Sequence, residues 1–382
     1  MSSSAALSVP RPVTGLLEWL GIGPLALDDT LAAFNPLWTV FRLHARVTQR
    51  VAETPSACTL VLQTGRRFPA MLPGQHLMIA VEIEGVRHRR SYSPRWIDEE
   101  AGTLAITVQR QPYGLVSNWV NDNLAVGDVI EVGVPAGEFT LPTDVPPEIL
   151  MIAGGSGITP CRAMIEHLHE RAPSPRVTLL YFARSRQERI FAADLEKLAK
   201  RWPALRYHAI DTHANLPGRE TPRDGQRGAA PTPVLDRDLL DRALSNWTSV
   251  PAYCCGPQPL MDAARRLWQD GGVADRLRFE AFGAPPVAVT GEITRHEIKL
   301  HRDGTARGFA ALSNQSLLQA GEACGVQMQH GCRSGVCHEC SCRLDEGTVI
   351  DLQSGQRIVG EGQVIRVCVS AAASDLTLSP AD

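Results

Sequence analysis

The stretch "ILMIAGGSGITPCRAM", Ile149–Met164, carries three instructions in sequence. A continuous apolar run predicts a buried strand, three glycines within four residues predict a tight turn, and the remainder predicts a helix with Pro160 in its first turn. Gly154, Gly155 and Gly157 let a backbone approach a phosphate at the helix start. The pattern is not G-x-G-x-x-G, because Pro160 stands where the third glycine would be. Reading onward to 282, the strands "RVTLLYFAR", "LRYHAID", "VPAYCCG" and "RLRFEAFG" alternate with the helices "FAADLEKLAKRW", "DRDLLDRALSN" and "PQPLMDAARRLWQDGG". Such alternation predicts βαβ units and a doubly wound parallel sheet over 147–282, interrupted by the polar Pro/Gly loop "THANLPGRETPRDGQRGAAPTP".

Upstream, 44–146 reads differently. "HARVTQRVAET", "CTLVLQTG", "QHLMIAVEIEG", "RHRRSYSP", "TLAITVQRQ" and "DVIEVGVPAG" are short alternating runs separated by turn residues. They predict an antiparallel barrel with one helix, "LVSNWVNDNL". Residues 1–43 form an N-terminal strap, in which "GLLEWLGI" and "DDTLAAFNPLWTVFRL" predict short amphipathic helices, the second N-capped by Asp28 or Asp29. Its many large apolar groups also suit a docking surface. Downstream, 283–291 reads as a linker. The last unit, 292–382, opens with a strand ("HEIKLHRDG"), then a helix ("SLLQAGEACG"), then a cysteine-rich loop and further strands.

Length alone, 382 residues, allows two or three domains, and 44% hydrophobic residues suffice for packed cores. A formal charge of -3 without a basic run argues against nucleic acid as partner. The N-terminus lacks a signal-peptide layout and no stretch spans a membrane, so the expected location is cytoplasmic, with peripheral membrane association left open.

Of ten cysteines, Cys332, Cys337, Cys340 and Cys368 follow the spacing C-x4-C-x2-C-x27-C. This is the plant-type ligand spacing of a [2Fe–2S] cluster. Gly331, Ser334 and Gly335 let backbone N–H groups reach the sulfurs. Zinc would want a second tight pair near Cys368, and a disulfide would want an oxidising compartment. Cys342 is a neighbour outside the pattern.

The stretch "GVQMQHGCRSGVCHECSCRLDEGTV" with the later "RVCVS" resembles the ferredoxin domain fused to flavin reductases. In the barrel, "RSYS" (Arg90, Ser91, Tyr92, Ser93) resembles the R-x-Y-S motif of the ferredoxin-NADP reductase superfamily. Residues two apart share a strand face, so Arg90 and Tyr92 point together, one to a phosphate and one to an isoalloxazine. Ser93 reaches the flavin only if the strand bends. In "YGLVSNWV", Gly114 precedes a helix whose first residues, Leu115, Val116 and Ser117, offer N–H groups to a diphosphate, which favours FAD over FMN. "PAGEF" matches the superfamily's barrel end. "GGSGITP" resembles the nucleotide turn and adds Thr159 and Pro160. "YCCGPQPLM" resembles C-G-P-x-x-M, with Cys255 implied near the nicotinamide and Gly256 and Pro257 beside it, and Glu280 matches a position at the flavin edge. Arg184 and Arg186 after the second strand favour NADPH, whereas Glu188 leaves NADH open.

The whole chain resembles bacterial three-domain flavin/iron–sulfur reductases: a β-barrel flavin domain, an α/β nucleotide domain and an α+β (β-grasp) [2Fe–2S] domain. The resemblance implies a path from NAD(P)H through FAD and the cluster to an acceptor protein, with Ser93, Cys255 and Glu280 at the reacting centre. Among such reductases the chain looks most like the NADPH-dependent partners of membrane fatty acyl (stearoyl-CoA) desaturases. The alternatives are the reductase of another oxygenase (a ring-hydroxylating dioxygenase or an alkane hydroxylase), the reductase of hybrid-cluster protein, and a redox-sensing protein without turnover.

Overall fold

A computed structural model describes residues 23–112, 114–212, 235–282, 292–302, 304–335 and 337–381. The expected helix in "GLLEWLGI", the Pro/Gly loop after Thr212 and the linker 283–291 lie outside them. The chain forms two compact units, 1–88 with 92–280, and 281–382 with the short segment 89–91.

The first unit begins with helix α1, Pro24–Phe34, whose N-cap is Gly23. The expected cap at Asp28 or Asp29 is therefore wrong. Asp28 lies within the helix, fully buried, and its carboxylate accepts N–H bonds from Val40, Phe41 and Arg42. The acid satisfies the amides of the incoming turn instead of those of its own helix.

Seven antiparallel strands follow: β1 (Leu43–Thr54), β2 (Ala57–Thr64), β3 (Leu77–Ile83), β4 (Val86–Tyr92), β5 (Pro94–Asp98), β6 (Thr103–Gln109) and β7 (Val129–Val132). Helix α2, Leu115–Asn123, lies between β6 and β7. Glu84 and Gly85 both take positive φ, 52° and 75°, the backbone of a two-residue hairpin turn between β3 and β4. The sheet order is β4-β3-β7-β1-β2-β6-β5. Its two outermost strands, β4 and β5, are joined by Ser93 alone, so the sheet must curl round, as a barrel does. Leu60, Leu62, Leu77, Ile79, Leu104 and Ile106 fill it. Strand β5 was not foreseen, since "PRWID" is short and opens on proline.

The parallel sheet contains β8 (Glu148–Gly154), β9 (Arg176–Ala183), β10 (Leu205–Asp211), β11 (Ala252–Cys255) and β12 (Leu277–Glu280) in the order β10-β9-β8-β11-β12. Helices α3 (Ile158–Arg171), α4 (Ala192–Arg201), α5 (Arg237–Ala243) and α6 (Gln258–Asp270) connect or flank these strands. Every residue of β8 is buried, as expected of a central strand covered on both faces.

The second unit opens with the hairpin β13 (Arg295–Arg302) and β14 (Thr305–Leu312), followed by α7 (Leu317–Ala323). Ser316 and Gln319 form a capping box at the start of α7. Strands β15 (Ser341–Glu346), β18 (Gln363–Arg366) and β20 (Leu376–Pro380) complete a five-stranded sheet, β14-β13-β20-β15-β18. Strands β16 (Thr348–Asp351), β17 (Arg357–Val359) and β19 (Ser370–Ala372) form a second, smaller sheet. Strand β20 runs parallel to β13, and α7 helps cover the shared core of Ile298, Phe309, Leu318, Leu344 and Leu378. This is the α+β arrangement anticipated for the last domain.

Candidate functional site

The cysteine loop joins α7 to β15, and the four sulfurs stand as two pairs. Cys332 and Cys337 exchange backbone-to-sulfur bonds of 3.2 and 3.3 Å, and the Cys332 sulfur also accepts the Ser334 N–H at 3.3 Å. Cys340 and Cys368 have sulfurs 3.1 Å apart. The hydrogen bond with Cys337 draws the Cys332 thiol down, and that with Cys368 draws Cys340 down, while both partners are pushed up. The Cys332 charge raises both Cys340 and Cys368, so the pairs sense one another.

Among the described residues, no three His, Cys, Asp or Glu side chains are grouped as a site for a single ion. Two pairs suit a two-iron centre with four thiolates and two ligands per iron. The loop backbone is shaped around the sulfurs. Arg333 and His338 take φ of 59° and 58°, a costly region for non-glycine residues that persists where the surroundings enforce it. A Cβ on Gly331 would stand 3.0 Å from the Cys337 sulfur. Ser334 is fully buried beside Cys332, and both its hydroxyl and its N–H help hold the Cys332 thiol down. Cys342 lies on β15, half-buried, its thiol pushed up to about 11 by burial, outside both pairs.

In the barrel, Arg90, Ser91 and Tyr92 close β4, and all three are half-buried. Ser93 sits between β4 and β5, buried, and its hydroxyl has no partner among the described residues. Gly114 is the N-cap of α2 and no side-chain bond caps that helix. A Cβ at Gly114 would lie 2.5 Å from the Ser117 hydroxyl and 2.8 Å from the Gln111 side chain. Ser117 accepts the Gln111 N–H and so shapes the approach to the helix, while Leu115 is exposed and Val116 is buried. An uncapped helix start fits a diphosphate.

The nucleotide crevice forms where the sheet order reverses. Strand β8 leads one way to β9, and its other neighbour is β11, which places a switch point at their carboxyl ends. Helices α3 and α6 both start there, with Gly157 and Pro257 as N-caps and no side-chain caps. The glycines have a purpose the sequence did not reveal. A Cβ on Gly157 would stand 2.8 Å from Gly256 N and closer still to the Cys255 carbonyl, and one on Gly154 would stand 2.6 Å from the Pro257 ring. These residues let two strand-to-helix turns pack backbone on backbone. Only Gly155, at φ 54°, has the conformation that itself favours glycine. Thr159 donates to Ser156 O at 3.0 Å, and Pro160 is buried in the first turn of α3. Two residues missed in the sequence hold this turn. The buried Tyr181 hydroxyl donates to Gly155 O (3.1 Å) and accepts from Ile190 N (3.0 Å), and Gln109 of β6 accepts the Ser156 N–H (3.2 Å). Both lie far from the turn in sequence, and no local pattern marks them.

Cys255 ends β11, fully buried, its thiol pushed well up by burial, so it is a neutral thiol. Glu280 ends β12 in register with Cys255. Burial pushes its carboxyl up to about 8, and its Oε2 has no partner among the described residues. Arg184 and Arg186 follow β9 on the surface. Arg184 pairs with Glu188 (3.5 Å) and Arg186 with Glu196 (2.9 Å), so each has an acidic neighbour.

Three protein-family models match the chain: an oxidoreductase FAD-binding domain over 44–141, an oxidoreductase NAD-binding domain over 151–266, and a 2Fe-2S iron-sulfur cluster binding domain over 300–373. An NADPH oxidoreductase of Mycobacterium tuberculosis is 33% identical over 93% of this chain and 89% of its own length. A glycine betaine monooxygenase reductase subunit of Chromohalobacter salexigens is 25% identical over 88% of this chain and 96% of its own. The solved structure of phthalate dioxygenase reductase superposes with a TM-score of 0.58 at 26% identity, covering 88% of this chain and 97% of that one.

Proposed function

This chain belongs to the oxidoreductases that join FAD-binding, NAD-binding and [2Fe–2S] domains in one polypeptide, and on that premise we propose that it is the NADPH-dependent reductase of a separate oxygen-activating protein. The observation that carries this reading is the pairing of four cysteine sulfurs in a chain that also has an uncapped switch-point crevice. Bound together, a nicotinamide, FAD and a [2Fe–2S] cluster supply hydride acceptance and one-electron transfer, so the protein needs no general acid–base machinery of its own.

The chain's residues then bind and orient. Arg90 would hold a flavin phosphate, Tyr92 the flavin ring and Ser93 its edge, with Ser91 beside them. The first amides of α2, from Gly114 through Leu115, Val116 and Ser117, hold the diphosphate. Gly154, Gly155, Gly157, Thr159, Pro160, Gly256 and Pro257 shape the nucleotide turns. Cys255 would lie beside the nicotinamide and Glu280 at the flavin edge. Arg184 and Arg186 take the 2′-phosphate of NADPH: exposed ion pairs are worth about 0–1 kcal/mol, so a dianionic phosphate displaces their glutamates at little cost. Cys332, Cys337, Cys340 and Cys368 hold the irons.

For the acceptor, the sequence resemblance supports a membrane fatty acyl desaturase. Phe34 at the end of α1 and Trp38 just after it, 81% and 58% exposed, would give such a partner an apolar surface. Among the described residues no helix is long and apolar enough to cross a membrane. The names of relatives, reductase subunits of glycine betaine monooxygenase and phthalate dioxygenase, support a second reading in which the acceptor is an oxygenase component. The test reconstitutes holoprotein with each class of acceptor and follows NADPH oxidation together with product. Turnover with a desaturase supports the first reading and turnover with oxygenase alone the second. Failure of NADPH to reduce the protein at all refutes both.

A further inference from the structure

His76 precedes β3 and is buried, and its Nδ1 lies 3.8 Å from Oε1 of Glu280 on β12. The two side chains arrive by separate routes. His76 is fixed by reciprocal N–H···O bonds of 2.9 Å with Ala136, and Glu280 by its register with Cys255. The imidazole fills space left by a glycine: Gly137 has φ 106°, and a Cβ there would stand 2.8 Å from His76 Nδ1. The Glu280 charge raises the thiols of Cys161 on α3 and Cys255 on β11. Both are pushed far up by burial and stay neutral, so neither can offset a carboxylate. His76 stands at ion-pair distance from that carboxylate.

We propose that His76 is a positioning residue for Glu280: the imidazole, at ion-pair distance from Oε1, favours the carboxylate form and holds its orientation, and Oε2 stays available to the reactants. The last clause rests on the flavin–nicotinamide reading of the crevice, whereas the pairing does not. Without the imidazole, nothing on α3 or β11 stabilises the carboxylate, and Glu280 holds its proton more tightly.

The test uses holoprotein in four forms: wild type, His76→Phe, His76→Gln and Glu280→Gln. The protonated-carboxyl infrared band that vanishes in Glu280→Gln identifies Glu280, and its pH titration gives a midpoint. His76→Phe is expected to raise that midpoint by one unit or more, a tenfold tighter proton. His76→Gln, which keeps a polar contact without the positive charge, is expected to raise it as well. The pH profile of anaerobic NADPH reduction should move with it. An unchanged midpoint in a His76 variant that retains wild-type flavin content and melting overturns the proposal. If His76→Phe does not fold, the same measurement on His76→Gln decides. Wild type that NADPH cannot reduce refutes the nicotinamide reading and leaves the infrared result to decide the pair.

Discussion

Gly157→Ala adds one methyl group where two backbones already touch. The residue is ordinary in conformation, with φ −62°, so alanine meets no dihedral penalty. The added Cβ would stand 2.8 Å from Gly256 N and closer to the Cys255 carbonyl, and none of these neighbours is a flexible side-chain end. The turn after β8 must therefore move away from the turn after β11, which costs about 1–3 kcal/mol as overpacking. In a unit of this size about 2 kcal/mol lowers the melting temperature by roughly 4–8 °C. The functional cost is larger in proportion. The same displacement parts the starts of α3 and α6, and a misplacement of about 1 Å can cost ~100-fold in rate. Stopped-flow reduction of the flavin by NADPH should fall by about that factor, with flavin content and the reduced-cluster EPR signal unchanged. Gly155→Ala is the control: it pays about 1–2 kcal/mol for its left-handed backbone, but its Cβ would meet only Gln109, at 3.5 Å. Wild-type melting and NADPH kinetics in Gly157→Ala would refute the claim that close turn packing builds the crevice.

Cys340→Ser or Cys368→Ser should abolish the EPR-visible cluster while NADPH still reduces the flavin, whereas Cys342→Ser should retain both; loss of the cluster in Cys342→Ser would show the wrong ligand set. The double variant Arg184→Ala/Arg186→Ala should raise KM for NADPH about tenfold with little change for NADH, because the lost partner is the 2′-phosphate; equal changes for both nucleotides would remove these residues from recognition. Burial holds the Glu280 carboxyl at about 8 in the folded protein, against ~4.3 when unfolded. The folded chain thus keeps a proton that the unfolded chain has lost, so the contribution is complete below about pH 4.3 and disappears as pH rises through about 8. Denaturant titrations should show wild type losing stability relative to Glu280→Gln across that window, and parallel curves would contradict the buried-acid assignment.

The elements were legible where the signal is local. The runs around β8, β9 and β11 announce buried strands, and Ser316 announces α7 through its capping box. The cysteine spacing is also local except for Cys368, whose sulfur reaches Cys340 only because β18 pairs with β15. What stayed hidden is long-range. Asp28 looks like an N-cap from its neighbours, and only the fold reveals that it serves amides twelve to fourteen residues later. Tyr181 and Gln109 support the nucleotide turn from other strands, and His76 meets Glu280 across two sheets, so no window of sequence contains either pair.

The purpose of the glycines changes where nucleotide choice must be sought. A phosphate-approach loop would place recognition at Gly154–Gly157 and make those residues both the grip and the selector. Here Gly154, Gly157 and Gly256 are consumed by backbone packing, and what they present to a ligand is two uncapped helix starts. Helix starts attract any phosphate and cannot distinguish a hydroxyl from a 2′-phosphate. On the proposed reading, discrimination falls to side chains at the end of the neighbouring strand β9, where Arg184 and Arg186 stand on the surface, each with a glutamate beside it. Such exposed pairs contribute little to stability, so this position can change sign during evolution without disturbing the fold. The proposal thus assigns the grip on nucleotides to backbone that is hard to alter and the choice among them to side chains that are easy to alter.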